Sequence, residues 1–344
     1  MAKKAKRSIL SLGDIHGHSD YRNRIHGYER IIILIMLLSF VVFAAIAIFG
    51  ILNAGVATFV KNVESINLFY YLIAVVVVFS GYVLRFPKWE MYIKRLGVKI
   101  DRKKNFMIYL SMYSMDITPG RWGRAIVSYT INRLTNVKFS RTFPAVVADI
   151  FTDFAGFAIV AVAAAFLVHQ YVLVALVASS MLLIPFVFLY SKTAYSIFST
   201  RLRKNKLFSK LFEVGDKYFI HNKLLGKKVY LYSMVYTIPA MIINGLGLYF
   251  VMLAFGINVG IAYIPTIIFI SSISTMLGMV TGLPANIGVT DATLLGFLVA
   301  FFGGFGVDIG LASVITIFSR LVQIWFVQLF GFLSLGYTLR YWKK

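Results

Sequence analysis

Cysteine is absent from the chain, which excludes disulfides, thiolate metal sites, iron–sulfur clusters and cysteine nucleophiles. Acid is scarce too: 13 Asp and Glu stand against 35 Lys and Arg, a formal charge of +22. Histidine is limited to His16, His18, His26, His169 and His221. None lies well inside an apolar run, so neither a histidine-ligated metal nor a histidine base is expected in a bilayer. Charged residues make up only 14% of the 344 positions and hydrophobic residues 59%, whereas soluble domains have roughly 25% and 45–50%. Mean hydropathy is +0.80. The composition is that of an integral membrane protein. A basic excess suits either nucleic acid or the anionic cytoplasmic face of a membrane, and the apolar runs select the membrane.

A helical crossing needs about 20 apolar residues, and six runs qualify: 31–52, 66–84, 143–168, 171–190, 229–255 and 311–338. The first thirty residues carry seven Lys and Arg, and no small-residue cleavage site follows the first run. Residues 1–30 therefore read as a cytoplasmic tail, not a signal peptide. Residues 105–131 contain Asp116, Arg121 and Arg124 and are broken at Thr118-Pro119-Gly120, leaving arms too short to cross. They read as a re-entrant hairpin. Residues 261–280 and 288–303 are two more apolar arms around the breaker string Thr281-Gly282-Leu283-Pro284-Ala285-Asn286, either half-helices or full crossings.

With the tail inside, the outer loops contain one basic residue, Lys61, and nearly all the rest fall on the inner side, to which the basic residues 339–344 also belong. Both termini are expected to be cytoplasmic. The inner linker 191–228 mixes ten Lys and Arg with leucines and aromatics, as an interfacial amphipathic helix or a solvated linker would. Order repeats as well: 66–168 and 229–338 each run crossing, broken hairpin, crossing with intramembrane charge, and they start on opposite sides. The expected fold is an all-α polytopic helical bundle, 31–338, with two re-entrant hairpins in an inverted pseudo-repeat.

Ionisable groups inside a bilayer cost roughly 2.5–3.5 kcal/mol each on insertion scales, so each needs a partner or a watery cavity. Asp149 and Asp153 lie one turn apart on one helix face and should not both stay charged without a cation. Arg320 is the lone basic residue between Lys228 and Arg340, and Asp291 the lone acid of the second hairpin. At 1.5 Å per residue Asp153 and Arg320 both fall near the middle of an approximately 30 Å core. Arg320 is therefore expected to face Asp149, Asp153 or Asp291, across a polar cavity or as a purely structural pair. In the first turn Thr118 is placed to cap a half-helix, Pro119 suits its first position, and free N–H groups beyond Gly120 add to the positive potential of Arg121. Pro284, Asn286 and Gly288 build a second such end, and two facing anion-binding ends suit a phospholipid headgroup.

Gly13-Asp14-Ile15-His16-Gly17-His18 looks like a metallophosphoesterase loop, but its usual partner motifs are missing. No metal and no other cofactor is expected. The Thr118-Pro119-Gly120 hairpin, the Asp149/Asp153 helix, the turn Leu283-Pro284-x-x-x-Gly288-Val289-x-Asp291, and Arg320 followed by Trp325 together resemble the lysylphosphatidylglycerol synthase transmembrane region. The resemblance runs over nearly the whole of 31–338. It implies a multi-pass cell-membrane protein that moves lipids between leaflets, aminoacylated phosphatidylglycerol or polyprenyl-phosphate glycolipids among them. The chain departs from the family at Pro284-Ala285-Asn286, where Pro-Gly-Gly is usual. It departs again in Asp149-Ile150-Phe151-Thr152-Asp153, which lacks the arginine of Glu-Arg-x-x-Asp, and no soluble synthase domain is expected to follow. These departures weigh against lysylphosphatidylglycerol as cargo and against synthase activity.

The expectation is a lipid flippase rather than an enzyme, with no catalytic residue assigned. Its site would comprise Thr118, Pro119, Gly120, Arg121, Asp149, Asp153, Pro284, Asn286, Gly288, Asp291 and Arg320. In this scheme phosphate docks near Arg121 and Arg320, while the aspartates take the cationic part of a headgroup or a coupling proton. The alternatives are an intramembrane enzyme acting on a lipid-linked substrate, or a scaffold for a glycosyltransferase or synthase. Expected partners are anionic membrane lipids and such an enzyme, with homo-oligomerisation left open and nucleic acid not expected.

Overall fold

The computed structural model describes residues 55–168, 171–180 and 222–341, with isolated positions between 41 and 52. The first group of residues belongs to one compact unit, Ile48–Lys344. The tail, most of the run 31–52, the second half of 171–190, the linker as far as residue 221 and the last three residues lie outside the description.

The described helices are α1 (Val56–Glu64), α2 (Leu68–Leu84), α3 (Phe86–Arg95), α4 (Arg102–Met112), α5 (Ile126–Thr135) and α6 (Phe139–Val168). They continue with α7 (Val172–Ser180), α8 (Lys227–Ala254), α9 (Ile264–Thr281), α10 (Val289–Phe302), α11 (Ile309–Arg320) and α12 (Phe326–Tyr341). No strand occurs among the described residues. Among the described residues six helical stretches are long and apolar enough to cross a membrane: Leu68–Arg95, Phe139–Val168, Lys227–Ala254, Ile261–Thr281, Pro284–Phe305 and Ile309–Arg340. The protein is an all-α polytopic membrane protein.

Local chemistry sets the element ends. Leu68–Leu84 carries no charge, and the Asn67 side chain accepts from the backbone N–H of Phe69 at 3.0 Å to start the helix. The expected end of that crossing at residue 84 is short of the real one. α3 continues α2 to Arg95, because Arg85 and Lys88, which look like loop charges, are buried and paired inside the protein. α8 packs along α2, and α9 packs against α6 and α8. Without driving force from water, such contacts depend on backbones coming close. Gly81 lies against the Ala240 carbonyl and Gly247 against Val78, where a larger residue would collide.

The first hairpin is formed by α4 and α5, of 11 and 10 residues. Each arm is only about 15–17 Å long, half of the hydrocarbon core. In the second, α9 has 18 residues and α10 has 14. Asp291 lies about 17 Å from the Phe302 end of α10, and Arg320 about 17 Å from the Ile309 end of α11, so both sit at matching depth. The two hairpin turns touch: the Gly120 N–H donates to the Gly282 carbonyl at 2.9 Å.

Candidate functional site

Each hairpin turn is built on the same backbone device. After Pro119, Gly120 and Arg121 take φ of 59° and 60°; after Pro284, Ala285 and Asn286 take 49° and 59°. Consecutive left-handed residues that are not glycine are uncommon and cost roughly 1–2 kcal/mol each. Such strain persists only where surrounding contacts hold it. The Thr118 hydroxyl donates to the Met115 carbonyl and accepts from the Gly123 N–H, both at 2.7 Å. Thr118 thus ties the turn across five residues instead of capping a regular helix, the role expected of it. In the second turn the Gly288 N–H donates to the Asp291 carboxylate at 2.9 Å, closing the first turn of α10.

Beneath the first turn lies a buried ion cluster. Asp149 and Asp153, on one face of α6, are both fully buried. Asp153 accepts from Arg85 at 2.8 Å, Lys88 at 2.7 Å and Arg124 at 3.2 Å. Asp149 accepts from Arg124 at 2.8 Å and faces the Lys88 ammonium at 2.9 Å. The outer edge of Arg124 forks onto both oxygens of Asp116, at 2.5 and 2.7 Å. Three cations thus meet three carboxylates, which satisfies the requirement that buried charge be matched. Aromatic rings wall the cluster, with the Arg85 guanidinium 4.3 Å from the Tyr82 ring centre and that of Arg124 4.9 Å from Tyr113.

Arg320 belongs to a separate pair. Its Nε lies 2.9 Å from Asp291 and its Nη2 donates to the Ala285 carbonyl at 2.5 Å, so one guanidinium holds both sides of the second turn. Of the three aspartates expected to face it, the partner is Asp291; Asp149 and Asp153 are bound by Arg85, Lys88 and Arg124. The Nε–Asp291 contact is not an aligned hydrogen bond, and Asn286 Nδ2, Thr290 Oγ and Ser319 Oγ are buried without a partner among the described residues. This pair rests on fewer aligned bonds than the cluster around Arg124, where Asp149 Oδ1 alone faces its cation, Lys88, out of hydrogen-bond alignment.

Between them is a cavity of about 30 Å³, room for roughly two waters. Arg85, Arg121 and Arg320 line it with Asn244, Thr275 and Gln323, and no acid is among the described residues on its wall. Directly after Arg320 comes a π-helical turn, Leu321–Trp325, that carries Gln323 into the wall. Such wide turns cluster at functional sites, and here the Tyr82 hydroxyl donates to the Gln323 carbonyl at 2.7 Å.

Of the expected residues, the structure groups Thr118, Pro119, Gly120 and Arg121 with Pro284, Asn286, Gly288, Asp291 and Arg320 at the meeting of the turns. Asp149 and Asp153 lie in the ion cluster, away from the cavity wall. Sequence reasoning missed Arg85, Lys88, Asn244, Thr275 and Gln323. For the first two a signal exists: Arg85, Lys88, Trp89, Tyr92 and Leu96 recur at helical spacing and form one buried face. The three neutral residues carry none. Among the described residues no group of acids and histidines is placed to hold a metal ion; the Gly13–His18 string lies outside the description.

Residues 36–331 match the family described as "Lysylphosphatidylglycerol synthase TM region". The chain is similar to a UPF0104 membrane protein of Methanothermobacter thermautotrophicus, 21% identical over 296 residues, with 78% of this chain and 85% of the relative covered. It is also similar to a UPF0104 membrane protein of Pyrococcus horikoshii, 23% identical over 310 residues, with 81% and 90% covered. A match over that length, on a bundle of apolar helices, makes the chain a member of the lysylphosphatidylglycerol synthase transmembrane family.

Proposed function

We propose that the protein carries a phosphate-bearing lipid from one leaflet of a cell membrane to the other, with both termini in the cytoplasm. The observation that carries this reading is the cavity on which three arginines converge where two broken hairpins meet. Discontinuous helices meeting near the bilayer centre are the usual binding architecture of transporters, and arginine is suited to phosphate. The shared proline and left-handed pair in both turns supports treating the hairpins as halves of an inverted repeat. The family description names a synthase of a lipid, which makes lipid handling the chemistry to test. Transport is favoured over catalysis because the four interior carboxylates, Asp116, Asp149, Asp153 and Asp291, are all held in ion pairs.

Purified protein in liposomes containing a fluorescent lipid tests the reading, with an impermeant quencher reporting exchange between leaflets. Exchange should exceed that of protein-free vesicles and fall in Arg121→Gln. No acceleration for any of several headgroups would refute transport. Unchanged exchange in Arg121→Gln would move the lipid path away from the cavity.

A further inference from the structure

We infer that the cavity selects a phosphodiester lipid with one net negative charge, whose headgroup carries neutral hydroxyls and no ammonium. The inference rests on the transport reading, deepens it, and starts from the charge balance. Around the cavity Arg85, Lys88, Arg121, Arg124 and Arg320 stand against Asp116, Asp149, Asp153 and Asp291, five cations to four carboxylates. The excess charge belongs to Arg121: the other four cations touch a carboxylate, whereas its side chain has neither ion pair nor hydrogen bond among the described residues. One phosphodiester anion supplies the missing charge. A doubly charged phosphomonoester overshoots it, and a zwitterion leaves it uncorrected.

The rest of the wall decides the headgroup. An ammonium transferred from water needs a carboxylate or several oxygen acceptors to replace its hydration. None of the described lining residues is acidic, and the nearest carboxylates are occupied by Arg85, Lys88, Arg124 and Arg320. Arg121 would repel the incoming cation. Asn244, Thr275 and Gln323 instead offer neutral donors and acceptors, which suit hydroxyls. The aspartates expected to receive the cationic part of a headgroup thus serve to neutralise the protein's own cations.

Equilibrium binding of short-chain lipids to the full chain in detergent, at fixed ionic strength, tests this apart from transport. Dihexanoyl phosphatidylglycerol should bind about tenfold or more tighter than the phosphatidylethanolamine or lysylphosphatidylglycerol of equal chain length, a free-energy gap of about 1.4 kcal/mol. Arg121→Gln, which leaves every ion pair in place, should abolish that preference. Gln323→Glu should narrow it by admitting the ammonium. Equal or tighter binding of an ammonium lipid, no binding of phosphatidylglycerol, or a preference that survives Arg121→Gln would each overturn the inference. Inorganic phosphate binding as tightly as phosphatidylglycerol would overturn the lipid as ligand. A protein that shows the predicted order yet moves no lipid in vesicles refutes transport alone; one that moves phosphatidylethanolamine preferentially refutes this inference alone.

Discussion

Replacing Lys88 by Met keeps the length of an apolar stem and removes one charge from a site closed to bulk solvent. The Lys88 side chain is fully buried, and its ammonium lies 2.7 Å from Asp153, 2.9 Å from Asp149 and 3.1 Å from the Thr152 hydroxyl. Without it, Asp149 and Asp153 share Arg85 and Arg124 while Arg124 is also engaged by Asp116, so one carboxylate is left uncompensated. Removing one partner of a buried pair costs about 3–5 kcal/mol. Lys88→Met should therefore lose about that much stability, whereas Lys94→Met, whose exposed side chain pairs with Glu90 at 3.2 Å, should lose under about 1 kcal/mol. Adding Asp149→Asn restores neutrality, and the double variant should recover about 1–3 kcal/mol relative to additive losses. Unfolding by sodium dodecyl sulfate in mixed micelles, followed by tryptophan fluorescence, reads the effect; of the four tryptophans Trp89 is buried next to Lys88 and donates to Asn105 at 3.0 Å. Lys88→Met within about 0.5 kcal/mol of wild type, or a strictly additive double variant, would refute the paired cluster. It would take with it the assignment of the excess charge to Arg121.

Arg121→Gly relieves both a left-handed backbone and an unpaired, half-buried charge, so it should raise stability by about 1 kcal/mol while lowering lipid exchange; lower stability in the same titration would refute the strain. Asp291→Asn frees Arg320 and adds one positive charge to the cavity. It should tighten phosphatidylglycerol binding several-fold and slow exchange, and weaker binding would show that Asp291 positions Arg320 instead of competing for it. Because the sequence contains no cysteine, single-cysteine variants report topology without background. In intact cells an impermeant maleimide should label Asn258→Cys, between α8 and α9, and spare Lys103→Cys at the start of α4; the reverse pattern would invert the proposed orientation.

The bundle was legible in the sequence because the bilayer leaves few choices: backbone groups must be bonded within helices, and each crossing must be apolar over its length. The hairpins were legible for a related reason, since Thr118-Pro119-Gly120 and Gly282-Leu283-Pro284 interrupt apolar runs at places where no helix continues undisturbed. The pairing of charges was not. Depth arithmetic placed Asp153 and Arg320 at similar levels, but depth says nothing about rotation around a helix axis. Asp153 turns toward Arg85, Lys88 and Arg124, while Arg320 turns toward Asp291 and the Ala285 carbonyl. Arg85 and Lys88 escaped because a hydropathy window ends a crossing at the first charge, although a charge with a buried partner is no boundary. Gln323 escaped because its place on the wall depends on a π-turn, a register shift that has no residue signature.

On the transport reading, a phosphate seated among Arg85, Arg121 and Arg320 takes more space than the roughly two waters the cavity holds, so the turns would have to part, and the two sides resist unequally. The first turn is anchored by Arg124, which joins Asp116 to Asp149 and Asp153 through aligned bonds. Moving it would uncover several buried charges together, at several kcal/mol each. The second turn is held by the Gly120–Gly282 bond, a neutral contact worth about 0.5–1.5 kcal/mol net, and by Arg320 with its misaligned hold on Asp291. The second hairpin therefore has the smaller barrier to displacement. On the transport reading, the ion cluster, which contributes nothing to the cavity wall except through Arg85, is the body against which that hairpin would move.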